Sequence, residues 1–263
     1  MADRKDTGIP GTQSMLQSQA VRHAVKYSSA RLALLLALVC AVTGYSQQSS
    51  LVGQSLRLSA ARIAVDGSAL AFGRYLASVQ ERDPFTGCGS VGVEIEAALP
   101  ALAEQGSMSL VRQVGASERS EYKVIRLDGD PTVKQQVIAR YLDAEQQAEA
   151  LPHSTVAVTP ANYKFRYVGR VEADGAAAYV FQISPKQKRT GLIQGQIWID
   201  SATGIAVHQT GRFVKPPSVF IRRIEVTRDT ALRDGLPYTR VTRVSINTRL
   251  VGRAELTITE RPF

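Results

Sequence analysis

The chain has 263 residues, 44% of them hydrophobic and 21% charged, which excludes wholesale disorder and allows one large domain with a substantial core. Its net charge of +9 divides into +3 over residues 1–46 and +6 over the rest, a balance suited to an anionic membrane surface or lipid headgroups. No basic helix, zinc-ligand spacing or aromatic–basic signature accompanies that charge, so nucleic acid is not the expected partner.

The first 46 residues read as a leader with a signal peptide. Arg22, Lys26 and Arg31 precede a short apolar run, Leu32 to Thr43, which is well short of the roughly 20 residues a spanning helix needs. Small residues place cleavage after Gly44 or Ser46. Met15 is an alternative start, and retention of the segment as an uncleaved membrane anchor stays open. Cys40 raises lipidation, but Ala37-Leu38-Val39 put bulky groups where a lipobox wants small ones. Cys88 is then the one thiol of the mature chain, so no internal disulfide is expected there. The expected location is the periplasm or outside the cell.

Residues 47–58 are polar and form a linker, and 59–263 is expected to be a single domain. From Ser59, Ile63, Leu70, Phe72, Leu76 and Val79 mark an amphipathic helix, interrupted at Gly67-Ser68 and ending before Asp83-Pro84. Val91–Leu99 alternates Val91, Val93, Ile95 and Ala97 against Gly92, Glu94 and Glu96, which predicts a half-buried strand. Ser107–Val114 and Glu121–Leu127 are two more. Asp130-Pro131 then supplies an N-cap and a proline at the first helical position, and Val133, Val137, Tyr141 and Ala148 carry the helix to about Ala150.

Beyond Pro160 the pattern is all strand and turn. Strands are predicted at Asn162–Arg170, Ala177–Ser184, Gly191–Asp200, Ile205–Val214, Val219–Arg228, Tyr238–Leu250 and Arg253–Glu260. Asp174-Gly175, Ser201-Ala202-Thr203-Gly204 and Asp234-Gly235 turn the chain between them, and Asp200 and Asp234 sit where turns favour aspartate. Short strands joined by tight turns make an antiparallel meander, which twist curls into a half-barrel or barrel. The expected class is mainly β (α+β): a curved antiparallel half-barrel with two or three covering helices.

Two groups of side chains could carry binding. Tyr163, Phe165, Tyr167, Tyr179 and Phe181 alternate on two adjacent strands and would bound a space for an acyl chain, or else pack the core against the helices. Trp198 opposes Ile197 and Ile199, at the cavity rim or facing a second layer. Arginines gather in the last five strands, with Arg222, Arg223, Arg240 and Arg243 the candidates for docking headgroups or an acidic partner; a solvated outer face whose charges block edge pairing is the simpler reading. Cys88 lies between glycines, and nucleophilic work there would need His153 or His208 beside it. No phosphate loop, nucleophile elbow, paired-carboxylate motif or histidine-rich metal site stands out, so neither catalysis, cofactor nor metal is expected.

Asn162-Tyr163-Lys164-Phe165, Tyr179 through Lys186 (YVFQISPK) and Gly195-Gln196-Ile197-Trp198-Ile199-Asp200 resemble the strands of bacterial outer-membrane lipoprotein-sorting proteins of the LolA/LolB-like superfamily. Lys215-Pro216-Pro217-Ser218 and Thr248-Arg249-Leu250-Val251-Gly252 extend the likeness, which covers residues 160–261. The long lead and the segment 83–130 depart from the shortest carriers. The resemblance implies a curved sheet closed by helices around a hydrophobic cavity that shields acyl chains. The function expected is therefore an exported, monomeric, lipid- or lipoprotein-binding envelope protein without enzymatic activity. The alternative is a protein-interaction or sensor module of the cell envelope on the same fold, with the arginines facing an acidic partner.

Overall fold

The structure is a computed structural model and describes residues 67–79, 85, 89–114, 120–149, 151–173, 176–217, 219–249 and 252–263. The leader, the linker, Cys40, Cys88 and the Asp174-Gly175 turn lie outside these residues.

Alternating sequence becomes alternating burial. Ten strands form: β1 (Ser90–Leu99), β2 (Glu104–Val114), β3 (Ser120–Gly129), β4 (Tyr163–Ala173), β5 (Ala176–Pro185), β6 (Ile193–Asp200), β7 (Ala206–Phe213), β8 (Ile221–Arg233), β9 (Leu236–Thr248) and β10 (Arg253–Pro262). They make one sheet in the order β3-β2-β1-β10-β9-β8-β7-β6-β5-β4, antiparallel at every junction. The strands expected from alternation are all present. The last strand closes back on β1, and β3 and β4 remain as two edges, so the sheet is open. This agrees with a half-barrel and not with a closed barrel.

Both edge strands carry a bulge. The β2–β3 register shifts between Ser109 and Leu110, leaving Ile125 unpaired on β3 and 66% exposed. The β4–β5 register shifts after Tyr167, leaving Val168 unpaired on β4 and 50% exposed. An extra residue twists an edge away from flat pairing with another sheet.

Two helices longer than a single turn are seen among the described residues. Helix α1 is Gly67–Ser78, so the Gly67-Ser68 pair, expected as an interruption, is where the described helix begins. Helix α2 spans 131–149; it is α-helical at Pro131–Val133, π-helical over Lys134–Ile138 and α-helical again over Ala139–Glu149. Pro131 occupies the first turn as expected, but Asp130 does not cap with its side chain. Its carboxylate accepts the Gln105 N–H at 2.9 Å instead, tying the start of α2 to β2. At Asp234-Gly235 both residues take positive φ, 53° and 79°, the geometry a two-residue hairpin needs between β8 and β9.

Registers define one row of ten side chains across the helix-covered face. It reads Leu127, Met108, Ile95, Ile258, Thr242, Arg228, Gln209, Ile197, Phe181 and Tyr167. The row is apolar at both ends and polar in the middle. Helix α2 covers the β1–β2–β10 end with Val133, Val137, Ile138 and Tyr141, and α1 covers the β4–β6 end with Ala71 and Tyr75. Along and beside this row a buried polar belt, Gln209, Thr230, Arg240 and Thr242, none more than 8% exposed, parts the two apolar lobes; further along the same strands Ile224, Val226, Val244 and Ile246 keep the inner face apolar.

Candidate ligand surfaces on the two faces of the sheet

The aromatic set expected from β4 and β5 does assemble on the inner face, and α1 decides how. Phe72, on the sheet side of α1, lies 4.9 Å from the Phe165 ring and 5.2 Å from Phe181. Tyr167 adds contacts at 5.6 Å to Phe181 and 6.3 Å to Tyr179, and Tyr163 meets Phe165 at 6.4 Å. Tyr163, Tyr179 and Phe181 are sealed, with Ile183, Leu192, Ile197 and Ile199 behind them. These three are core. Phe72, Phe165, Leu76 and Val79 are only partly covered, and Tyr167 is 41% exposed. The wall is thus buried behind and open along one margin.

Helix α1 is fixed. Tyr75 is buried and its hydroxyl donates to the Val158 carbonyl at 2.8 Å. Arg74 donates to the carbonyls of Ala202 (2.8 Å) and Ser201 (3.3 Å) in the β6–β7 turn. That turn is shaped by Asp200, whose carboxylate accepts from Thr203 N–H and Oγ1, each at 2.7 Å. Gly204 there has φ +78°, and a Cβ on it would stand 2.4 Å from the Arg74 Cβ. Burial raises the pKa of the Tyr75 phenol far above its usual value, and pushes that of Tyr163 up to about 12. The Tyr163 oxygen accepts the Ile193 N–H at 3.1 Å.

Trp198 does not join this wall. The β6 register puts it on the outer face, where its ring packs 4.6 Å from His208 and its Nε1 has no hydrogen-bond partner among the described residues. His208 Nδ1 is 2.7 Å from Asp229, whose other oxygen accepts from Arg243 at 2.7 Å. His208 is therefore engaged with a carboxylate, and His153 sits in the turn before β4, where burial lowers its pKa.

The four candidate docking arginines do not share a surface. Arg223 and Arg243 are exposed on the outer face, and Arg222 is exposed beside the register shift in β8. Arg240 is the correction: it faces inward in the polar belt, 8% exposed, with its guanidinium 4.1 Å from the Phe85 ring and 3.8 Å from Glu260. Period-two alternation decides this, since Arg240 shares parity with Thr242 and Val244, and Arg243 does not.

Sequence reading missed two features. One is a buried ion network in which Arg112 binds Glu145 of α2 at 3.1 Å and Glu260 of β10 at 2.9 Å, and also donates to the Phe85 carbonyl. The signal was present, because Arg112 continues the inward series Met108, Leu110. The other is a depression of about 720 Å³ on the outer face, lined by Arg212, Arg223, Arg243 and Arg253 among polar neighbours. It depends on how six strands lie together, which one strand's pattern does not reveal. Among the described residues no group of three or more His, Cys, Asp or Glu is placed to hold a metal ion, and no helix is long and apolar enough to cross a membrane.

No family model matches the chain, and no curated protein matches it. Solved structures similar to it include a LolA superfamily protein from Nitrosomonas europaea, 14% identical, covering 66% of this chain and 84% of that one, with a TM-score of 0.32. A DUF1329 family protein from Desulfovibrio piger is 10% identical over 74% of this chain and 91% of its own, with a TM-score of 0.36. The MucA/MucB complex of Pseudomonas aeruginosa contributes a chain 13% identical over 75% and 94%, with a TM-score of 0.24.

Proposed function

We propose that the chain is an exported, non-catalytic envelope protein that holds an acyl chain of a lipid or lipoprotein against the aromatic wall beside α1. One observation carries this reading: the wall is rigidly backed by Tyr163, Tyr179 and Phe181, while Phe72, Phe165 and Tyr167 leave its margin partly uncovered. A chain laid on that margin gains about 0.8 kcal/mol per methylene withdrawn from water. The leader at 1–46 supports delivery of a monomeric 59–263 domain to the periplasm.

The test is lipid capture by the full chain. Native mass spectrometry after mild extraction from membranes is expected to show bound lipid, and a fluorescent fatty acid is expected to bind in solution. Tyr167→Glu, at a half-exposed position, should abolish uptake without unfolding the protein, whereas Arg243→Gln on the opposite face should leave it intact. Protein that is always empty and takes up no fatty acid removes the acyl reading and leaves a protein-interaction module on the same fold.

A further inference from the structure

The outer face, opposite both helices, is not flat. Its depression extends from Gln182 on β5 to Thr257 on β10. Six strands about 4.8 Å apart make it about 24 Å long. It lies over the junction of Gly195 and Gly211, which pair across β6 and β7. A Cβ at Gly195 would stand 1.9 Å from the Thr210 carbonyl oxygen, and one at Gly211 would stand 2.6 Å from that of Gln194. Only glycine lets the two strands close up in this way.

Four arginines line the depression on four successive strands: Arg212 on β7, Arg223 on β8, Arg243 on β9 and Arg253 on β10. Against them stand two acids, Glu225 and Glu255. Arg223 pairs with Glu225 at 2.6 Å, Arg253 with Glu255 at 2.9 Å, and Arg243 with Asp229 at 2.7 Å, all half-exposed. Ion pairs this exposed hold weakly and exchange readily with an incoming carboxylate. Arg212 is exposed and its guanidinium, among the described residues, has neither an ion pair nor a hydrogen bond, although Glu225 is its register partner. Gln182, Gln194, Thr210, Thr227 and Ser245 supply neutral donors and acceptors between the charges.

We propose that this depression binds an extended acidic segment of a partner polypeptide. Its length selects the occupant. A phosphate headgroup would fill one end, whereas an extended peptide at about 3.3 Å per residue would lay about seven residues along it. The composition agrees, with guanidinium groups suited to carboxylates and amide and hydroxyl groups suited to a peptide backbone. Charge excludes two occupants from this chain itself: residues 1–46 carry +3, and a second copy carries +9. The site is on the face opposite the aromatic wall and stands whether or not an acyl chain binds there.

The experiment uses the full chain and fluorescein-labelled heptaglutamate, with labelled heptalysine for comparison, read by fluorescence polarisation. Heptaglutamate is expected to bind, more weakly as salt rises, and heptalysine is not. The Arg212→Gln, Arg253→Gln double variant should weaken binding by about tenfold or more, since two charge-assisted contacts are lost, with an unchanged melting temperature. Arg170→Gln on β4, outside the depression, should change nothing. Trp198 gives a second readout. It is the single tryptophan and packs on His208, whose partner Asp229 shares Arg243, so binding that draws Arg243 away should alter its emission. No binding of heptaglutamate, or equal binding by the double variant, overturns the proposal. So does complete displacement of the peptide by phosphatidylglycerol vesicles, which would make this a headgroup site.

Discussion

Tyr163 joins chemistry to packing at the residue scale. Its phenol is buried, its oxygen accepts the Ile193 N–H, and its pKa is raised from 10.0 to about 12 by burial. The native state therefore keeps the proton where an unfolded chain has lost it. That contribution is complete below pH 10 and is lost as pH rises from 10 through 12, with Tyr75 acting in the same direction. In urea titrations at a series of pH values, Tyr163→Phe should cost about 1–3 kcal/mol at pH 8 by orphaning the Ile193 N–H, yet decline less steeply above pH 10. A decline as steep as the parent's would refute the assignment. Glycines separate as sharply. Gly195→Ala drives a Cβ into the Thr210 carbonyl and should cost about 4 kcal/mol or more, or yield insoluble protein. Gly169→Ala meets nothing within 4 Å and should be neutral or stabilise by about 0.4–1 kcal/mol. The composition of these strands does not distinguish the two glycines; their neighbours across the sheet do.

Helix α2 shows what holds an element to the sheet. Its apolar stripe, Val133, Val137 and Tyr141, was legible as helical spacing, and Pro131 as its start. Its anchor was not. Arg112 of β2, Glu145 of α2 and Glu260 of β10 are far apart in sequence and meet only because β1 lies between β2 and β10. Removing one partner of so buried a network strands the other charges. Arg112→Ala should thus cost about 3–5 kcal/mol by chemical denaturation, while Arg112→Met, which fills the volume, should cost less. Hydrogen exchange resolved along the chain should also show α2 amides exchanging faster in Arg112→Ala. Protection of 139–149 at the parent's level would mean that packing alone pins the helix. The β4 and β5 aromatics were legible in the same partial way: alternation placed them on one face, but Phe72 on α1 decides that Tyr163, Tyr179 and Phe181 are sealed and Tyr167 is not.

Over the whole molecule, one hydrogen-bonded sheet joins two apolar lobes across a polar belt. Continuity of the ten strands predicts cooperative unfolding, because β7–β9 belong to neither lobe alone. Thermal transitions followed by Trp198 emission, on β6, and by far-ultraviolet helicity, to which α2 contributes, should coincide. Two separated midpoints would show that the lobes unfold independently. Strands, the Asp234-Gly235 and Gly204 turns, the α2 segment and the antiparallel class were all legible in the chain, because side-chain parity and turn chemistry are local. It takes the assembled sheet to bring Arg112 to Glu145 of a distant helix, and to set Arg212, Arg223, Arg243 and Arg253 around one depression. Those outcomes depend on which strands become neighbours, a relation fixed by chain closure between β1 and β10 and invisible in any single segment.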